Sequence, residues 1–280
     1  PTVGFGRFSV SAQFLPMTPA LSYLGSDRLS VVVSPILSMG LFTSNFSPFV
    51  PPNADGRYPS GNGTRFSWGG GVQLGAFYIH NSCWRFGASL RSPIWHEAFR
   101  YHAEDENGLP TVNETRFDLP LVASLGLSYS PDACTLIAFD TRFTDNQNAA
   151  GFGDAAQFQP DGSIGGLGWN SQMSFAIGLQ RKITQRFYAR FGYMYATRLI
   201  DSPEAAVNAS GTNLAYRHLP SCGASIRLAD HVSISFAYSY SPKATISGPI
   251  YLPNNTPIPG SEASNQMAAH AAEFGVSVTY

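Results

Sequence analysis

The stretch "HVSISFAYSY" (residues 231–240) alternates without a fault. Val232, Ile234, Phe236, Tyr238 and Tyr240 share one face of a strand, because strand side chains alternate with period two. Ser233, Ser235, Ala237 and Ser239 share the other. One face is greasy and the other small and polar. Just upstream, "LADH" (228–231) is a short polar turn that closes a preceding strand over 218–228, so the pair reads as an antiparallel hairpin.

The same texture recurs along the chain. In "RFYARFGYMYATR" (186–198), Phe187, Ala189, Phe191, Tyr193 and Tyr195 oppose Arg186, Tyr188, Arg190, Gly192, Met194 and Arg198. "DLPLVASLGLSY" (118–129) and "WNSQMSFAIGLQ" (169–180) divide in the same way. Each apolar face suits a membrane-crossing strand of about 9–11 residues. Strands of soluble sandwiches are shorter, about 5–6 residues. Strands are expected at about eleven places: 5–24, 29–47, 66–80, 84–102, 117–129, 134–147, 168–181, 185–200, 218–228, 231–249 and 267–280.

The connections discriminate further. Short polar turns fall at 25–28, 81–83, 130–133, 181–185 and 228–231. Between them lie long segments rich in Pro, Gly, Asn and Asp, at 48–65, 103–116, 148–167, 201–217 and 251–266. Strict alternation of short and long is the pattern of an outer-membrane barrel, with short periplasmic turns and long external loops. Composition agrees: of 280 residues 13% are aromatic and only 12% charged, about half the charge of ordinary soluble domains. No apolar run is long enough for a transmembrane helix. The net charge of −1 argues against nucleic acid as a partner. The expected class is all-β: one antiparallel transmembrane β-barrel domain over 1–280. Aromatics near strand ends, among them Tyr78, Trp84, Trp95, Tyr101, Tyr129, Trp169, Tyr188 and Tyr280, read as interfacial girdles or as ordinary strand residues.

The chain ends in "EFGVSVTY" (273–280), with Phe274, Val276, Val278 and Tyr280 on one face. Glu273, Gly275, Val278 and Tyr280 match polar-x-Gly-x-x-apolar-x-aromatic, which resembles the signal read by the barrel-assembly machinery. The order of hairpins from about Phe8 to Tyr280 resembles the FadL/TodX family of outer-membrane transporters for hydrophobic compounds. The resembling stretches include "FLPMTPALSYLGSDRLSVVVSPILSMG" (14–40), "VQLGAFYIHNSCWRFGASLRSPIW" (72–95) and "HLPSCGASIRLADHVSISFAYSYSP" (218–242).

The resemblance implies a barrel of about fourteen strands. It also implies an N-terminal hatch, a lateral opening at a kink in an early strand, and entry of ligand among the outer loops. This chain lacks a counterpart of the hatch and of the first strands, so a partial barrel is expected, completed by an upstream segment or a second chain. The family's kink has no expected counterpart. Pro1 instead of Met, with no signal peptide, reads as a mature or truncated product.

Two groups are candidates for ligand contact. Phe42, Phe46, Phe49 and Val50 lie in or beside an irregular Pro- and Asn-rich loop and form either a hydrophobic groove or loop packing. Arg85, Arg91, Asp140, Arg142, Arg186, Arg190, Arg198 and Arg227 are expected on the lumen face, holding a polar network or attracting a ligand carboxylate. Arg91 and Arg198 are the better candidates, being nearest the loop end.

No catalytic motif, cofactor cradle or metal spacing stands out. His80, His96, His102, His218, His231 and His270 read as loop or turn residues. Cys83 and Cys134 both sit at short turns, where the compartment allows a disulfide.

The expected function is passive uptake of hydrophobic or amphipathic, fatty-acid-like molecules across a bacterial outer membrane, with outer-membrane lipid, lipopolysaccharide and the assembly machinery as partners. The alternative is a structural barrel whose loops bind a partner protein. A polar-solute porin is disfavoured, because the loops are not acidic.

Overall fold

Alternation becomes geometry in a computed structural model, which describes residues 9–45, 63–104, 109–157, 165–205, 217–251 and 255–278. The strands are β1 (Ser9–Met17), β2 (Leu21–Ser26), β3 (Leu29–Asn45), β4 (Arg65–Ile79), β5 (Trp84–Arg91), β6 (Trp95–His96), β7 (Phe99–Glu104) and β8 (Pro110–Thr115). They continue with β9 (Leu121–Asp132), β10 (Thr135–Asp145), β11 (Gln172–Lys182), β12 (Phe187–Ala196), β13 (His218–Ala229), β14 (Val232–Gly248) and β15 (Ala263–Val278). Thirteen of them form one sheet. Its path is β1-β3-β4-β5-β9-β10-β11-β12-β13-β14-β15, every pairing antiparallel, with β2 and β6 as continuations of β1 and β5. Among the described residues β1 and β15 do not pair, so the wall does not close on itself.

The two faces differ as the alternation requires. Outward on β3 stand Val31, Val33 and Leu37, and inward stand Ser34, Ile36, Ser38, Gly40 and Phe42. Phe191 is 62% exposed and Phe274 71% exposed on the outer face. Apolar side chains of that size are tolerated there only against an apolar medium, which is what a membrane-spanning barrel wall meets. Among the described residues no helix is long and apolar enough to cross a membrane.

All five short turns lie at one end of the sheet. Local chemistry fixes several of them: Asn81 Oδ1 accepts from the backbone N–H groups of Cys83 and Trp84, and Asp132 Oδ1 accepts from that of Cys134. Cys83 and Cys134 are free thiols.

Three expectations are corrected. The stretch 103–116 is not an open loop: β7 and β8 form a separate two-stranded hairpin at the loop end. The wall strand expected over 84–102 stops at His96. The strand expected over 5–24 is broken at 18–20, for a reason visible in the register. Met17 pairs with Leu37 and Leu21 with Val33, which sets Pro19 against Pro35. Neither proline has an N–H to give, so the ladder lapses there.

A second lapse lies at the same height. Pro35 pairs with Val72, Ser92 exchanges hydrogen bonds with Val72, and Pro93 falls opposite Pro120 between the pairs Arg91–Val122 and Ile94–Leu119. The stretch Arg91 to His96 is also one residue longer than its partner, Gly69 to Gln73, so β5 and β6 are out of register with each other.

Candidate functional site

On the inner face at the loop end, small residues on the wall make room for large ones. Phe42 is buried on β3 and its ring lies 5.4 Å from Phe99 of β7 and 5.1 Å from Phe117. Phe117 stands edge-on to Phe152 at 5.5 Å, and Phe152 lies 4.9 Å from Trp169. Phe14 of β1 packs on the same cluster and meets the His96 ring at 5.0 Å. The result is a run of aromatic rings from the first strand to the connection between β10 and β11, at spacings typical of favourable ring pairs. Gly40 is part of the reason it fits: a Cβ there would come within 2.8 Å of the Phe99 ring.

His96 anchors the near end. It lies buried on the inner face of β6 instead of in a loop. Its Nδ1 faces the Ile94 carbonyl at 3.1 Å and must donate. Nε2 therefore accepts from Ser38 Oγ at 3.0 Å. The Asp118 carboxylate accepts from the His96 backbone N–H and pairs with Arg116 at 3.0 Å. Ser38, His96 and Asp118 are thus neighbours, but not a hydrolytic triad. The carboxylate holds the backbone of His96 and not its ring, and Ser38 has no exposed surface for a substrate to reach. His102, His218 and His270 also sit on strands. Among the described residues no group of His, Cys, Asp or Glu is placed to hold a metal.

The candidate ligand residues do not converge on one site. Phe42 belongs to the aromatic run. Phe46, Phe49 and Val50 lie outside the described residues. Arg91 is on the inner face of β5, where Nη2 donates to the Pro120 carbonyl at 3.3 Å and Nε is buried without a partner. Arg198 lies far along the wall, in a cavity of about 360 Å³ at the loop-side rim shared with Ile200, Arg217, Ile246, Asn265 and Met267.

Arg217 is the residue that sequence reading missed. It fell at the end of a Pro- and Asn-rich stretch, and nothing in the local pattern marks it. Its Nη2 donates to Tyr195 Oη at 3.0 Å, its guanidinium lies 5.7 Å from the centre of that ring, and its Nε is buried without a partner. Of the proposed assembly residues, Glu273 and Gly275 point inward on β15, Val278 points outward, and Tyr280 lies outside the described residues.

No family model matches the chain, and no curated protein matches it significantly by sequence. Solved structures do match. A FadL homologue from Pseudomonas aeruginosa superposes with a TM-score of 0.65 at 16% identity, over 97% of this chain and 68% of its own. The toluene transporter TbuX of Ralstonia pickettii gives 0.62 at 14%, over 98% and 69%. The fold is FadL/TodX-like. The monoaromatic hydrocarbon channel CymD, at 15% identity and a TM-score of 0.60 over 99% of this chain and 76% of its own, shares it. The FadL/TodX-like structures described by function in this comparison are transporters and channels, not enzymes.

Proposed function

We propose that this chain forms the wall of a bacterial outer-membrane channel for passive uptake of hydrophobic or amphipathic small molecules. The observation that carries the reading is the aromatic run from Phe14 to Trp169 across the inner face of a FadL/TodX-like wall. Below the run that face carries serines and glycines together with Gln73, Arg91, Asp140, Arg142, Arg190 and Glu273, so the part-exposed rings of Phe14, Phe117, Phe152 and Trp169 offer an apolar solute its contacts at the loop end. Arg91 and Arg198 would then steer an amphipathic solute by its anionic head, and Phe46, Phe49 and Val50 would contact the solute first, among the outer loops. The short turns face the periplasm in this reading, and Glu273, Gly275, Val278 and Tyr280 serve assembly.

The test is uptake by cells lacking the gene and by the same cells complemented. Labelled toluene and a labelled long-chain fatty acid should each enter faster with the wild-type gene, and a polar sugar of similar mass should not. Equal entry of the two apolar probes with and without the gene overturns the proposal. Entry of only one of them assigns the ligand class.

A further inference from the structure

The rim cavity around Arg198 and Arg217 owes its position to unequal strand lengths. β13 begins at His218, opposite Tyr195, while β14 and β15 rise together to the pair Gly248–Ala263. The last pair between β13 and β14 is Ser221–Ser239. Above it, no strand among the described residues pairs with that side of β14, and Arg198, Ile200 and Arg217 line the notch. Thr245, which pairs with Gln266 on the outer side of the ladder, lines the notch together with Ser247. Ala244, Ile246, Asn265 and Met267 line it from the inner side, so the notch is bordered by both faces of the wall at the rim.

A belt on the outer face fixes its depth. Tyr193 Oη and His218 Nδ1 lie 2.7 Å apart, and Tyr238 Oη and His270 Nδ1 lie 2.6 Å apart. A second tyrosine packs on each imidazole, Tyr195 on His218 at 5.3 Å and Tyr240 on His270 at 4.8 Å. Rings with polar tips in this position mark the boundary between hydrocarbon and headgroups. Arg217 immediately precedes His218, and Thr245 is about 15 Å further along the strand from Tyr240. The notch stands on the headgroup side of the belt.

Its chemistry is anion-selective. Among the described residues no acidic side chain lines it. Neither guanidinium has an ion pair among the described residues, and the nearby Asp201 carboxylate is held by Asn170 Nδ2 at 3.0 Å. The Arg217 Nε is buried and unpartnered, an arrangement that costs free energy until an acceptor arrives. Two forked donors beside hydroxyls suit a tetrahedral dianion better than a single carboxylate. Ile200, Ile246 and Met267 supply an apolar flank.

From these we infer that the notch over β13 docks a phosphate of an outer-leaflet glycolipid of the lipid A type. The notch shares Arg198 with the solute route of the proposed function, so the test below separates the two uses.

The test uses protein extracted from outer membranes in mild detergent and native mass spectrometry with added diphosphorylated lipid A. Wild-type protein should retain the lipid. The pair Arg198→Gln with Arg217→Gln should weaken binding about tenfold, the effect expected from losing one or more charge-assisted bonds. The corresponding lysine pair, which keeps charge but not the fork, should fall between. Arg100→Gln, on the remote hairpin, should bind like wild type. Heat-modified gel mobility checks that each variant is folded. If the glutamine pair fails to fold, Arg217→Lys alone carries the comparison. Unchanged lipid A binding in the folded glutamine pair overturns the inference. So does loss of fatty-acid binding with lipid A binding retained, which would make the notch a substrate subsite. Displacement of lipid A by equimolar inorganic phosphate would also overturn it, since lipid contacts would then add nothing.

Discussion

At the scale of single residues, adjacent glycines on β4 show what the inner face demands. A Cβ on Gly69 would stand 2.5 Å from the His96 ring, whereas one on Gly70 would meet nothing nearer than the Ile36 carbonyl at 3.8 Å. His96 is held by Ser38 on one side and Ile94 on the other, so it has nowhere to retreat. Gly69→Ala should destabilise the protein by about 1–3 kcal/mol, and Gly70→Ala should be near neutral; denaturant unfolding in micelles measures both. Glu204 makes a second case. Burial, and secondarily Asp201, raise its pKa above the usual carboxylate range. A carboxyl whose folded pKa is raised binds its proton more tightly in the folded state. Packing of the turn Ser202–Glu204 is therefore unpenalised below the ordinary carboxylate pKa and weakens as pH rises through the folded one. Hydrogen exchange at 198–205, corrected for intrinsic rates, should speed up across that window in wild type and stay level in Glu204→Gln. Neither Gly69 nor His96 was legible in sequence, because a glycine reports only that a side chain is missing and not what fills the space.

At the scale of elements, the hairpin β7–β8 is tied to the wall chiefly through Phe99, which has no exposed surface and packs on Phe42 and Gly40. Its own cross-strand ion pair, Arg100–Glu114 at 2.8 Å, is exposed and contributes little. Phe99→Ala should therefore release the hairpin while the wall strands keep their pairing. Protease cleavage between 99 and 115 should accelerate at least tenfold, as an apolar loss of about 3–5 kcal/mol allows, with the heat-modified gel shift of the barrel unchanged. Unaltered cleavage would place the hairpin's anchor elsewhere. The wall strands and turns were legible because alternation and turn chemistry are local. The hairpin was read as loop because Asp105, Asn107, Gly108 and Pro110 dominate its sequence, while the side chain that docks it, Phe99, acts on a partner 57 positions away in the sequence, Phe42. The breaks at Pro19 and at Ser92–Pro93 escaped for a related reason: each proline is unremarkable alone, and the lapse follows only when register sets Pro19 against Pro35 and Pro93 against Pro120.

At the scale of the molecule, strand direction decides how the wall can close. β2 enters the short turn at Asp27 and Arg28, so the first strand runs from the loop end to the turn end. β15 follows the long connection after β14 and runs the same way. Among the described residues the path from β1 to β15, both included, holds eleven strands, every neighbour antiparallel. If β1 and β15 met directly they would have to pair in parallel, and bacterial single-chain barrels have even strand numbers. In lipid each unpaired backbone group costs several kcal/mol, so neither edge can stay open. We therefore predict an odd number of further strands between these two edges, beyond those of the described residues; the chain spans 69% of TbuX. Cysteines introduced one at a time along 11–17 of β1 and along 270–276 of β15, with the three native cysteines replaced, put this to the test. In membranes no pair should form a zero-length disulfide, because the intervening strands hold the edges at least two strand spacings, about 10 Å, apart. Cysteines at Gln13 and Leu41, which pair across β1 and β3, supply the positive control. Efficient bonding between the two edges would close the wall at eleven and remove the need for any added strand.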